Sequence, residues 1–144
     1  MSVATQALSF TDSTVKGVRI SKEGVWAGRI VSAIVVLFLV FDGVMKIVKE
    51  PHVLEATSLL GYPERLLVVL GLVVLGCTLV YLTPHTSVLG AILLTGYLGG
   101  AVASNLRVGH SAFETLFPVI VGVLAWAGLF MRDDAVRTML PLRR

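Results

Sequence analysis

Asp42 and Lys46 stand out first, because both interrupt an apolar run from Trp26 to Val48 that contains IVSAIVVLFLVF. Inside a bilayer an unpaired charge costs about 2.5–3.5 kcal/mol at the centre of a helix, and less near the interface. The two residues are four apart, so a helix places them on one face. That spacing allows two chemistries. One is a proton or ligand site turned toward the interior of a bundle. The other is a structural ion pair, with the Lys46 ammonium reaching toward the interface on its long apolar stem.

A second set lies in the run SVLGAILLTGYLGGAVASNL, residues 87–106. Tyr97, Ser104 and Asn105 recur at spacings of seven and eight, the repeat of one helix face. A phenol at mid-membrane needs a partner for its hydroxyl, and an amide in or near lipid needs partners too. Gly96 and Gly100 form a small-xxx-small pair, with Gly99 and Ala103 beside them, and such residues are expected to pack helix on helix.

Other chemistries find little support. His52, His85 and His110 are read as loop residues, which argues against transmembrane haem ligation. No His, Cys or carboxylate group has metal-ligand spacing, and GxGxxG and Walker patterns are absent. Ser, His and Asp occur only as scattered residues. The single cysteine, Cys77, excludes an intramolecular disulfide and a CxxC pair. Trp26, Tyr81 and Trp126 sit near the ends of apolar runs, where aromatic belts occur.

The elements that carry these residues follow from composition. The chain has 144 residues, 56% hydrophobic and 15% charged, against about 25% charged in soluble domains. A chain this small has no water-facing core large enough to hide that much apolar surface, whereas lipid as solvent removes the difficulty. The net charge of +3 is carried by Lys and Arg flanking apolar runs, as in membrane proteins; no nucleic-acid partner is expected.

Four runs are long enough to span: residues 26–48, 66–82, 87–106 and 112–131. Spanning takes roughly 17–25 residues, so the second run is short and would recruit flanking residues or sit in thin bilayer. The runs lack the alternation of membrane strands. Thr83-Pro84-His85-Thr86 forms a tight turn that makes the second and third helices antiparallel neighbours. The loop from Lys49 to Arg65 carries Val53, Leu54, Ala56, Leu59 and Leu60 at roughly helical spacing, followed by Gly61 and Pro63. A short amphipathic helix at the membrane surface is predicted there. The fold class expected is therefore all-α: an integral membrane four-helix bundle, antiparallel and up-down, with an interfacial helix in the first loop. Residues 1–25 are polar, lack the apolar core of a signal peptide and are expected to form a mobile tail. Residues 132–144 are expected to form a basic C-terminal tail.

With four spans both termini share a side. That side holds Lys16, Arg19, Lys22, Arg29, Arg132, Arg137, Arg143 and Arg144, eight of the twelve Lys and Arg. The bias predicts cytoplasmic termini. The same topology brings Asp42, Lys46, Asn105, Arg107, His110 and Glu114, with Glu64 and Arg65, to the opposite half. An outward-opening polar cluster there is the predicted ligand site, with Asp42, Lys46, Tyr97, Ser104, Asn105, Arg107 and His110 as its candidates.

At these residues the chain resembles the DoxX-like family of small bacterial four-helix membrane proteins. The matching stretches are FDGVMKIV, LGYPERLL, YLTPHTSVLGAILLTGYLGGAVASNLRVG and LFPVIVGVLAWAGLFMRDDAVRTMLPLR, and the resemblance covers roughly residues 26–143. The family often has histidine where this chain has Asn105, so a histidine-dependent role is not carried over to that position. The resemblance implies a bacterial inner-membrane protein and an accessory role in a quinone-linked redox or oxidative-stress system, with membrane oxidoreductase subunits or further copies of the chain as partners. Beside this stands the reading from the residues: a binder of, or enzyme for, a lipid-like small molecule such as a quinone, held around Asp42 and Tyr97. A small oligomeric transporter is a third option. No resident cofactor is expected apart from such a quinone.

Overall fold

Apolar length dictates the architecture. The computed structural model describes residues 21–139 and Val3; it has six helices in that range: α1 (Lys22–Val48), α2 (Pro51–Leu59), α3 (Glu64–Leu82), α4 (Ser87–Val108), α5 (Ala112–Arg132) and α6 (Asp134–Met139). Four of them, α1, α3, α4 and α5, are long and apolar enough to cross a membrane. Each packs against its sequence neighbour among the four, and α1 closes the ring against α5. The result is an antiparallel up-down bundle with α1 and α4 on one diagonal and α3 and α5 on the other.

The outward faces are apolar: Leu37 is 70% exposed, Phe41 61%, Leu72 58% and Val123 61%. Such a surface is a liability in water and the expected one in lipid. The chain is an all-α multi-pass membrane protein.

Local chemistry sets the helix ends. The Ser21 side chain accepts from the Gly24 N–H, and Glu23 stands in the first turn. Together they start α1 at Lys22, inside the stretch expected to be tail, because a cap and an acidic first turn outweigh the polar composition. Lys49 closes α1 in the left-handed conformation. Pro51 then opens α2, and the Glu50 carboxylate accepts from the Val53 N–H. The second span recruits Glu64 and Arg65 to reach 19 residues. Gly109 ends α4 at φ 72°, and Ser111 and Glu114 form a capping box at the start of α5.

Part of the expected C-terminal tail is ordered on the bundle. Val136 of α6 is buried, and the Arg137 guanidinium donates to the Phe130 carbonyl and lies over the Phe130 ring. The rest of both predicted tails, residues 1–20 except Val3 and residues 140–144, lies outside the described residues.

The core is closely packed at the end of the bundle that carries the termini. There Tyr81 is fully buried; its hydroxyl donates to the Ala125 carbonyl at 2.8 Å and shares a hydrogen bond with Ser32 Oγ at 3.0 Å. Gly28 and Gly128 bring α1 and α5 into backbone contact, and Gly90 lets α4 close on Tyr81 of α3. Gly43 and Gly71 do the same for α1 and α3: a Cβ added at Gly71 would stand 2.7 Å from the Gly43 carbonyl oxygen.

One small-residue face finds no partner among these contacts. Gly96, Gly99 and Gly100 do not pack helix on helix within the bundle, since a Cβ on any of them meets nothing within 4 Å. The small-xxx-small pattern marks a smooth face and does not say which way that face turns. Here it turns outward.

Candidate functional site

Between the helix ends farthest from the termini, the interior opens. Asp42 lies six residues before the end of α1, about 9 Å below it at 1.5 Å per residue. Lys46 is one turn nearer the end. The pair forms an i,i+4 ion pair, with the Lys46 side chain 14% exposed and that of Asp42 29% exposed. The pair is thus an ion pair that lines a cavity.

That cavity, of about 530 Å³, is walled by Asp42 and Lys46 of α1, Leu70 of α3, and Gly96, Tyr97, Gly100, Ala101 and Ser104 of α4. It is roofed by α2, through His52, Val53, Ala56, Thr57 and Leu60, and by Tyr62 just beyond it. A small annex of about 140 Å³ continues past Asp42, Lys46 and Tyr97 to Phe38, Leu98, Phe117 and Pro118. A further cleft of about 420 Å³ meets Asp42 from the side of α5, where Asn105, His110, Phe113 and Glu114 line it. Asp42 is common to all three spaces. A separate groove of about 550 Å³ between α4 and α5 is almost wholly apolar, and its Trp126 indole already donates to Thr95 Oγ1 at 2.9 Å. That groove has the character of lipid-facing surface.

The polar groups around Asp42 fall into two kinds. Some are committed to structure. Ser104 Oγ donates to the Gly100 carbonyl and shares a 2.6 Å hydrogen bond with the Tyr62 hydroxyl. Asn105 Nδ2 donates to the Glu114 carbonyl at 2.9 Å, tying α4 to α5. Thr57 Oγ1 donates to the Val53 carbonyl. Others remain available. Among the described residues Asp42 Oδ2 is engaged by Lys46, while Oδ1 and the Tyr97 hydroxyl make no hydrogen bond to the protein and keep accessible surface. An ammonium has three protons to donate, and Lys46 uses one on Asp42. A carboxylate oxygen, an ammonium and a phenol thus line a largely apolar wall, with the His52 imidazole and the hydroxyls of Thr57, Tyr62 and Ser104 beside them. That is the usual make-up of a small-molecule site, in which a few polar groups fix orientation within apolar walls.

Of the residues named from sequence, Asp42, Lys46, Tyr97 and Ser104 line the main cavity. Asn105 and His110 line the neighbouring cleft, with His110 Nδ1 3.8 Å from Glu114 Oε2. Arg107 is outside both; it is exposed and donates to the Leu60 carbonyl at 2.6 Å, fastening the end of α4 to the end of α2. Gly96 and Gly100 belong to the cavity wall. Three contributors were not named. Tyr62 lies between Gly61 and Pro63, outside any span; His52 is in the first turn of α2 and not in a loop; Thr57 is the buried residue of α2. The helix signal in α2 was legible, but its inward face is Val53, Thr57 and Leu60, whereas Leu59 is 64% exposed. A spacing of four and three from Val53 distinguishes the two. Among the described residues no three His, Cys, Asp or Glu come together as a metal-ligand group.

Comparison with known proteins agrees with the architecture. The family model of the DoxX-like family matches residues 30–128, which covers the four spans apart from the first turns of α1 and the end of α5. No curated protein and no solved structure matches the chain. The chain belongs to the DoxX-like family.

Proposed function

For this DoxX-like membrane protein we propose that the α2-capped half binds a lipid-like small molecule of quinone type. The carrying observation is the 530 Å³ cavity in which Asp42, Lys46 and Tyr97 present unused hydrogen-bonding capacity between apolar walls. Lys46 and Tyr97 would donate to a carbonyl or hydroxyl head, and Asp42 Oδ1 would accept from a hydroxyl. The ion pair supplies fixed dipoles without net charge, in a setting of low dielectric where such contacts are strong.

The orientation proposed is the one set by the charge count, with both termini in the cytoplasm of a bacterial inner membrane and the cavity toward the outer face. A reporter fused to the C-terminus reads this, and a periplasmic signal overturns it.

A thermal shift in detergent with a short-chain quinone tests the binding reading. A ligand that binds the folded protein alone raises its stability by about 2.7 kcal/mol at one hundred times Kd. The wild type should gain melting temperature and Asp42→Asn should not. No shift in the wild type defeats the quinone-type assignment.

One observation favours a second reading, that of an accessory subunit in a membrane redox or oxidative-stress assembly. Gly96, Gly99 and Gly100 face open space and are exposed, and with Ala103 they leave a smooth strip against which a partner helix can approach closely. Isolation in mild detergent should then recover an oxidoreductase subunit in fixed ratio, or a second copy of the chain. A chain that purifies alone and on which no membrane oxidoreductase depends in cells removes this reading.

A further inference from the structure

The cavity is bounded at its end by α2 and Tyr62 and on its flank by Gly96 and Gly100 of α4. Three ties hold the roof. The Tyr62 hydroxyl meets Ser104 Oγ at 2.6 Å, Arg107 donates to the Leu60 carbonyl at 2.6 Å, and Lys49 pairs with Glu64 at 2.9 Å. The first two fasten the segment after α2 to α4, and the third ties the C-cap of α1 to the first residue of α3 beneath that segment. The flank is different. Gly96 and Gly100 are wall residues of the same cavity, yet they are exposed on α4 and nothing stands within 4 Å of where their Cβ atoms would be. The gap on that flank lies between α4 and Leu70 of α3. The two helices meet tightly at Gly90 and Tyr81, near the other end.

We infer that the ligand enters sideways from the bilayer, past Gly96 and Gly100, and that it is a single-chain amphiphile with an uncharged head. This rests on the binding reading above and adds a route and a class to it. The head would come to rest against Asp42, Lys46 and Tyr97. The chain would trail out between α3 and α4 into lipid, across the gap that the two glycines leave. The head is uncharged because the site already holds one carboxylate and one ammonium paired to each other. A charged head would have to be desolvated against a neutral pair, which returns little Coulomb energy. A side chain at position 96 or 100 would occupy the passage without touching the polar groups. The glycines thus act as a doorway.

Photolabelling in vesicles of phosphatidylcholine and phosphatidylglycerol tests this, using a long-chain fatty alcohol that carries a diazirine in its chain. Labelled peptides of the wild type should map to α3 and α4 around Leu70 and Gly100. The Gly96→Leu/Gly100→Leu variant should lose labelling by about tenfold, the equivalent of ~1.4 kcal/mol, at unchanged melting temperature. Should the pair of leucines lower the melting temperature, Gly100→Leu alone carries the same expectation. Arg107→Ala, which loosens the roof, should leave labelling within about twofold of wild type. Undiminished labelling in the glycine variants, or a gain in Arg107→Ala, overturns lateral entry. Equal labelling by the matching diazirine fatty acid, in its ionised form, overturns the uncharged head. If Asp42→Asn abolishes labelling while the glycine variants keep it, binding stands and the doorway falls. If the wild type is not labelled in the cavity, the binding reading falls as well.

Discussion

The two ends of the bundle are built from similar residue types and put them to opposite uses. Near the termini, Tyr81 is fully buried and its hydroxyl is shared between Ser32 and the Ala125 carbonyl, while Gly28, Gly90 and Gly128 draw the helices together. Near α2, Tyr97 is half-buried and its hydroxyl has no hydrogen bond among the described residues, while Gly96 and Gly100 leave the wall open. Both ends therefore offer tyrosine and glycine, one dry and satisfied, the other hollow and unsatisfied. In lipid a polar group left without a partner costs free energy, and the accessible groups at the hollow end are the ones that a ligand of the proposed kind would satisfy. The proposed binding site rests on this difference, and the apolar groove between α4 and α5 lacks it.

The comparison can be broken most forcefully with glycine. Gly90→Leu would drive a side chain into the Tyr81 backbone. We expect destabilisation of about 3 kcal/mol or more, seen as loss of folded protein in detergent. Gly99→Ala meets open space and should be neutral or stabilising by about 0.5–1 kcal/mol through the better helix former. Equal penalties for the two would contradict the packing difference.

The tyrosines give the next effect. Tyr81→Phe leaves the Ser32 hydroxyl and the Ala125 carbonyl without their partner and should cost about 1–3 kcal/mol in unfolding measurements. Tyr97→Phe removes no hydrogen bond within the described protein and should change stability by less than about 0.5 kcal/mol, while weakening bound ligand. A Tyr97→Phe penalty as large as that of Tyr81→Phe would show that Tyr97 is structural.

Asp42→Asn sharpens the comparison from the side of charge. It keeps the shape and breaks the ion pair, so a purely structural pair predicts a stability loss with no effect on ligand. We expect the reverse order: ligand load largely lost, and a stability change of about 1 kcal/mol, since Lys46 stands near the helix end and can extend toward water. The smallest effect belongs to Arg107→Ala. Its hydrogen bond is exposed, and its loss should cost under about 1 kcal/mol while increasing protease access to the segment 60–63.

Much of this was legible in the sequence, for identifiable reasons. Hydrophobic length marks spans without reference to tertiary contact, so the four helices and the order of their connections could be read directly. Asp42 and Lys46 could be paired because i,i+4 is a property of one helix. Part of the rest needed only the angular arithmetic of one helix, and part needed knowledge of two helices at once. Tyr97, Ser104 and Asn105 looked like one face, but at 3.6 residues per turn a step of seven turns a side chain by about 20° and a step of eight by about 80°. Ser104 therefore stays with Tyr97 in the cavity, and Asn105 swings to the Glu114 carbonyl on α5. The glycines that join helices, Gly43 to Gly71 and Gly28 to Gly128, are single residues on different helices and carry no local pattern. The pattern that does exist, Gly96 and Gly100, lies on a face the bundle leaves free. Tyr62 sits in a connection, where periodicity has nothing to say; only the folded chain brings it to Ser104.

The measurement that bears most directly on the hollow end is native mass spectrometry of the protein released from its own membranes, comparing wild type with Tyr97→Phe, Asp42→Asn and Tyr81→Phe. One small molecule of constant mass is expected on the wild type, much reduced on Tyr97→Phe and Asp42→Asn and retained by whatever Tyr81→Phe protein folds. A wild type that carries no such molecule, or one that all three variants carry equally, would contradict it.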